Sequence, residues 1–194
     1  MKKRQVALKA YNHPLGVCTL TVENARCLDA YPERIERVLR AFLDGRELFF
    51  GFYRTDGMHL SPQRQRELET EIPAFFRESG EMRKISEYLS VARSELNDRV
   101  YARIPEIFDY YLETTLFVPR MNWETFQQFH ADYQGHRLED MILNHFADLL
   151  FCYADSGDFS VCFDPQAHDR EKVRLVLQKV FLGEGFCMGN ARGR

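Results

Sequence analysis

The sequence predicts an α+β fold, in which an antiparallel sheet of about five strands is covered by a central layer of four to five helices. Two observations predict it. Short β-rich segments with alternating polarity lie near both ends of the chain, and apolar residues spaced three and four apart dominate residues 61–148. We expect a single α+β domain over residues 1–182, mainly helical between residues 61 and 148. Residues 183–194 are rich in glycine and are expected to form a loose tail.

Three strands are predicted near the N-terminus. Residues 5–11 and 17–23 alternate between apolar and polar side chains, and Pro14 and Gly16 lie in the five residues that separate them. This pattern is typical of a β-hairpin. Residues 47–54 are rich in aromatic side chains and form the third candidate strand.

The first helices are predicted from the residues that begin them. Pro32 starts a pattern in which apolar residues follow helical spacing as far as Phe42. Ser61 offers a capping side chain and Pro62 occupies the first helical position of the next helix. Pro73 is expected to end or kink that helix, because proline removes a helical hydrogen bond.

A longer apolar stripe runs from Ile85 to Ile104 in steps of three or four residues. It predicts one amphipathic helix over residues 85–104, with Arg and Glu on the opposite face. Core packing is the simpler role for this stripe, and self-association through the 85–104 helix is the alternative. Asn122 and Arg137 begin two further helical patterns.

The clearest hairpin lies near the C-terminus. Residues 149–154 and 159–164 bracket the turn sequence Asp-Ser-Gly-Asp, and Pro165 stops the second strand. A final helix is predicted over residues 169–182, where Val and Leu recur at helical spacing. Together with the N-terminal strands, this hairpin completes the predicted sheet.

Charge is distributed unevenly along the chain. Residues 105–169 contain twelve Asp or Glu and two Arg, so this acidic segment carries a net charge of −10 with neutral histidine, against −3 for the whole chain. The acidic segment also holds half of the 26 aromatic residues, and Trp123 is one of them. It is therefore expected to fold, unlike a solvated acidic tail. An uneven distribution of charge along the chain affects which partner binds and how fast it associates more than it affects the fold.

The leading hypothesis is a non-enzymatic, cytoplasmic protein-binding module whose acidic, aromatic-rich half engages a basic protein partner. An immunity or antitoxin protein that inhibits a toxin has this profile of size, charge and compartment. The alternative is that the carboxylates are spread over several helices and pair with arginine elsewhere. Partly exposed aromatic side chains would serve as anchors. The residues predicted to bind the partner are Trp123, Asp132, Tyr133, Glu139, Asp140, Tyr153, Asp155 and Asp158.

A second hypothesis is a small metal-dependent hydrolase. Histidine and carboxylate side chains cluster within sixteen residues of the acidic segment. Neutral imidazole with carboxylate suits zinc or iron, which would activate water. Since the H-E-x-x-H and E-x-x-H patterns are absent, a polar helix face with incidental histidines is the simpler interpretation. The candidate ligands are His130, His136, Glu139 and His145.

Other functional classes find little support in the sequence. No nucleophile elbow and no glycine-rich phosphate loop is present, and no cofactor is implied. An isoelectric point near 6.1 disfavours nucleic-acid binding. The five cysteines are odd in number and lack a C-x-x-C pair, so reduced thiols are expected. The basic N-terminus is not followed by an apolar run, and no stretch approaches the ~18 apolar residues of a membrane span. We therefore expect a cytoplasmic protein that does not bind membranes.

Overall fold

The computed structural model describes residues 6–43, 45–53, 61–86, 89–111, 113–132, 142–143, 147–153 and 157–183. Its strands are β1 (Ala7–Asn12), β2 (Cys18–Glu23), β3 (Glu47–Tyr53), β4 (Gly80–Lys84), β5 (Leu89–Glu95), β6 (Glu113–Pro119), β7 (Ala147–Tyr153) and β8 (Phe159–Phe163). Its α-helices are α1 (Tyr31–Leu43), α2 (Pro62–Ser79), α3 (Asp98–Tyr110), α4 (Trp123–Asp132) and α5 (Arg170–Leu177). A turn of π-helix, Gln178–Leu182, continues α5.

The eight strands form one sheet in the order β1-β2-β8-β7-β6-β3-β5-β4, and every neighbouring pair is antiparallel. The predicted α+β fold with an antiparallel sheet is confirmed, whereas the prediction of about five strands is too low. The additional strands β4, β5 and β6 all lie between residues 61 and 148. The helices of this stretch, α2, α3 and α4, contain more residues than its strands do, but they alternate with the strands.

The predicted helix over residues 85–104 is also wrong. Residues Leu89–Glu95 form β5, and α3 begins only at Asp98. A step of four residues fits a strand as well as a helix, because four is a multiple of the two-residue strand period. The stripe is divided between a strand and a helix, so a continuous helical seam for self-association does not exist. Its members Ala92, Leu96, Val100 and Ile104 are buried in one core cluster.

The predicted hairpins form, as does the helix predicted to start at Ser61, whereas the helix predicted to begin at Arg137 starts outside the described residues. The His13 N–H donates to the Val17 carbonyl at 2.8 Å and closes the β1–β2 turn. β7 pairs directly with β8. The Ser61 hydroxyl accepts the Arg64 N–H at 3.2 Å and caps α2. That helix continues through Pro73 as far as Ser79, so the proline does not end it.

The sheet buries a cluster on each of its two faces. The main face packs against α1, α2, α3 and α5, and we define it by the large cluster to which those helices contribute. The second face packs against α4 and carries a smaller cluster. Strand residues of the main face include Leu20, Phe50, Phe52, Leu116, Phe151 and Val161. Strand residues of the second face include Phe49, Val91, Phe117, Leu150 and Cys162.

Helix α2 passes directly into β4 without a loop. Gly80 lies at this junction, where an added Cβ would come within 1.9 Å of the Arg93 carbonyl oxygen. Only a residue without a side chain lets the two backbones approach so closely. The junction fixes β4 at the end of the sheet, beside β5.

Candidate partner-binding surfaces

Two carboxylates of the acidic segment form ion pairs. Glu106 on α3 lies 3.2 Å from the guanidinium of Arg64 and also contacts Arg103. Asp148 on β7 pairs with Arg120. All of these side chains are partly exposed, so each pair stabilises the fold by only about 0–1 kcal/mol. For these two acids the structure supports the simpler hypothesis, in which carboxylates pair with arginine.

Three further carboxylates accept hydrogen bonds from backbone N–H groups. The acceptors are Asp158 for Asn24, Asp164 for Gln166 and Asp169 for Glu171, each at 2.8 Å. Asp169 thereby caps α5, at the predicted start of the final helix. A carboxylate bonded to neutral donors keeps its charge, so these three side chains still contribute to a negative field.

Asp158 lies beside the N-terminal hairpin. The Arg26 N–H donates to the Gly157 carbonyl at 3.0 Å and holds the β7–β8 turn against this part of the chain. Lys9 on β1 pairs with Glu23 at 2.5 Å. The pKa of Lys9 is raised, chiefly by its hydrogen bond to Glu23 and further by the charge of Asp158. Asp158 thus sits among charged side chains at one end of the sheet.

Most of the other predicted partner-binding residues are not described in full by the structure. Tyr133, Glu139, Asp140 and Asp155 are outside the described residues, and Asp132 and Tyr153 are described by their backbones alone. Their role in binding a partner therefore stays a prediction. The structure places the backbone of Asp132 at the end of α4 and that of Tyr153 at the end of β7.

Trp123 differs from expectation. Its side chain is 3 % exposed and packs in the cluster of the second face. Its ring lies 5.1 Å from Phe49 and 5.8 Å from Phe126, measured between centroids. The expectation that Trp123 is partly exposed is wrong, because the first turn of α4 faces the sheet. Its ring serves the core instead of forming an exposed anchor.

The metal hypothesis rests on residues that the structure does not describe in full. His136, Glu139 and His145 are outside the described residues, and His130 is described by its backbone alone. Among the described side chains, no three His, Cys, Asp or Glu lie close enough together to hold a metal ion. The metal-dependent hydrolase stays a prediction.

Four cysteines are described, and none of them forms a disulfide with another described cysteine. Cys152 and Cys162 are not opposite each other in the β7–β8 pair, because Cys152 faces Ser160 and Cys162 faces Leu150. Cys18 is buried, and burial raises the pKa of its thiol. A raised pKa suppresses the nucleophilic thiolate, so Cys18 has the character of an inert packing residue.

A groove between β4 and α4 is a feature that the sequence did not indicate. It has a volume of about 280 Å³ and is lined by Arg83, Lys84, Ile85, Glu124, Gln127 and Gln128. The Arg83 guanidinium donates to the Gln127 side-chain oxygen at 2.6 Å across this groove. The two residues are 44 positions apart in the chain. Because β4 itself was not predicted, no sequence signal brought its side chains next to α4.

No described helix is long and apolar enough to span a bilayer. Comparison with protein-family models, with curated proteins and with solved structures finds no match to this chain.

Proposed function

We propose that this chain is a non-enzymatic, cytoplasmic protein-binding module whose acidic half engages a basic protein partner. The net charge of −10 over residues 105–169 is the observation that carries the proposal. A field of this sign raises the association rate of a positively charged partner and disfavours negatively charged competitors. An inhibitor of a basic toxin, such as an immunity protein or antitoxin, uses binding of this kind.

The described carboxylates support the proposal in a limited way. Ion pairs involve Glu106 and Asp148, whereas Asp158, Asp164 and Asp169 bond to neutral backbone donors and keep their charges. Glu124 is exposed on α4. Local pairing therefore leaves negative charge available at several places. Asp158 immediately precedes β8, which pairs with both β2 and β7.

The proposal is tested by capture of partners from the native cell lysate, with the full chain as bait. We expect one basic protein to be retained at about 50 mM salt and largely released at about 300 mM, because added salt screens exposed charges. Absence of a partner at either concentration would contradict the proposal. So would retention of a partner that salt does not weaken.

Charge-reversed variants show whether the acidic segment is responsible. Lysine at Asp132, Glu139, Asp140 and Asp155 should weaken partner binding by roughly a hundredfold, since close charge pairs couple strongly across interfaces. Asp158 is left unchanged because it bonds to the backbone of Asn24. A matched control carries lysine at four exposed acids outside the segment, and it should bind within a few-fold of the original chain. The control positions are Asp29, Glu33, Glu47 and Glu95.

A further inference from the structure

The outer side of β4 forms one edge of the described sheet. β4 is the last strand of the sheet, and within the described part of the chain no segment pairs with its outer side. The Ile85 N–H donates to the Leu89 carbonyl at 2.9 Å, which fixes the phase of the β4–β5 ladder. Hydrogen-bonded and non-hydrogen-bonded pairs alternate in an antiparallel ladder. The backbone N–H and C=O groups of Met82 and Lys84 therefore point away from β5, toward the free edge.

A second hydrogen bond gives the same phase. The Leu96 N–H donates to the Arg46 carbonyl at 2.9 Å, on the side of β5 that faces β3. The backbone groups of successive residues in a strand point to opposite sides. Since those of Leu96 face β3, those of Val91 face β4. Arg83 is the partner of Val91, so its backbone groups point inward and those of its two neighbours point outward.

The groove between β4 and α4 lies beside this open edge. Arg83 and Lys84 line it and are exposed, and Glu124 is the one acid among its lining residues. The bond to Gln127 holds the Arg83 side chain on the second face. Guanidinium has five N–H donors, and its planar fork matches a carboxylate. The groove therefore presents a positioned guanidinium donor, and Lys84 adds a positive charge at the same edge.

From these observations we propose that the β4 edge and its groove bind an extended acidic segment of a partner protein by strand addition. Main-chain hydrogen bonds would form with Met82 and Lys84, as in other cases of strand addition to an edge. The residue opposite Arg83 in the added strand places its side chain on the same face as Arg83. A Glu or Asp at that position meets the guanidinium. Although α4 of the acidic segment forms one wall of the groove, Arg83 and Lys84 would select a segment whose charge is opposite to that of the basic partner proposed above.

The proposal is tested with three blocked peptides and the isotopically labelled full chain. Their sequence is acetyl-Thr-Val-Thr-X-Thr-Val-Thr-amide, with X as Glu, Gln or Lys. We expect the Glu peptide to bind about tenfold more tightly than the Gln peptide, because a charge-assisted hydrogen bond is stronger than a neutral one. The Lys peptide should bind most weakly. Backbone amide signals of Met82 and Lys84 should shift on titration.

Two variants separate the charge from the edge. Arg83→Gln should make the Glu and Gln peptides bind equally. Lys84→Pro removes an outward N–H without breaking the β4–β5 ladder, because proline is tolerated where a strand N–H faces outward. It should weaken all three peptides by roughly tenfold relative to Lys84→Gln, which removes the charge alone.

Three results would overturn the proposal. The first is an absence of peptide-induced shifts at Met82 and Lys84. The second is equal binding of the Glu and Lys peptides to the original chain, a comparison that does not depend on any variant folding. The third is a dimer in sedimentation experiments that Lys84→Pro dissociates, because the edge would then be occupied by a second copy of the chain.

Discussion

The two faces of the sheet are covered by different numbers of helices. Four helices contribute to the cluster of the main face, whereas α4 covers the second face among the described elements. On the second face Thr21 and Ser160 remain partly exposed and share a hydrogen bond between their hydroxyls at 2.9 Å. The larger cluster on the main face chiefly stabilises the fold. The second face combines a smaller core with polar positions and with the groove beside β4.

Strand β3 shows the difference within a few residues. Phe52 points to the main face, where its ring lies 4.6 Å from Tyr111 and 5.4 Å from Phe76. Phe49 points to the second face and contacts Trp123 and Phe126. Both side chains are nearly fully buried. Their surroundings, more than their own burial, decide how much each contributes.

The largest expected effect comes from truncating these two rings. Phe52→Ala should lower the free energy of unfolding by about 4 kcal/mol and Phe49→Ala by about 3 kcal/mol, because the smaller cluster can relax into the space that is left. Urea denaturation measures both values. Leu175→Ala at an exposed position serves as control and should change stability by less than about 0.5 kcal/mol. A larger loss for Phe49→Ala would contradict the ranking of the faces.

The junction between α2 and β4 comes next in magnitude. Gly80→Ala should destabilise the fold by about 2 kcal/mol, because the new Cβ meets the Arg93 carbonyl oxygen and backbone must move. Gly45 is the comparison, since it has a φ of +72° but nothing within 4 Å of an added Cβ. Asn tolerates such a φ. Gly45→Asn should therefore be nearly neutral and Gly80→Asn as harmful as Gly80→Ala, and equal effects in thermal unfolding would refute the steric argument.

Helix caps offer a smaller test of the two faces. The Asn97 side chain accepts the Val100 N–H at 3.2 Å in α3, and Asn122 accepts the Thr125 N–H at 2.8 Å in α4. Replacing either Asn with Ala should cost about 1 kcal/mol. Asn97→Ala should lower global stability, whereas Asn122→Ala should chiefly increase local opening of α4 in amide hydrogen exchange. Equal effects on all amides for both variants would show that α4 unfolds only with the rest of the sheet.

The smallest effect concerns pH at the rim of the main face. The pKa of His168 is lowered, first by burial and then by the charge of Arg46, while Asp164 opposes the shift. The unfolded chain then binds a proton at a higher pH than the folded chain does. Neutral His168 therefore stabilises the folded state fully above the ordinary pKa of 6.5. This stabilisation is lost as the pH falls through the pKa of His168 in the folded state. His168→Gln should flatten this slope in urea titrations, and an unchanged slope would assign it to other groups.

The sequence predicted those elements whose boundaries carry strong local signals. The turn residues Pro14 and Gly16 and the capping residue Ser61 all act where they were expected, and the final helix begins next to Asp169, where its start was predicted. β4 lacks such signals, because Gly-Glu-Met-Arg-Lys has little β preference and depends on pairing with β5. Even spacing concealed β5 itself within an apparent helix.

The candidate surfaces were less predictable than the fold. Trp123 was expected at the surface as an aromatic anchor of the acidic segment, yet its position in the first turn of α4 turns it to the sheet. The β4 groove joins Arg83 to Gln127 through tertiary structure alone. Composition established the net charge of the acidic segment. It could not show that Glu106 would meet Arg64, which lies 42 positions away.

The position of β8 has a consequence for how the chain reaches this structure. β8 lies between β2 and β7, so in the described sheet it joins the N-terminal hairpin to the other strands. Thr21 and Ser160, which bond across this junction, are 139 positions apart. Contacts between such distant residues slow folding, and strands that wait for a partner present unpaired edges. During synthesis, β2 must wait for β8, which lies far along the chain, and until β8 emerges the edge of β2 that will receive it stays unpaired.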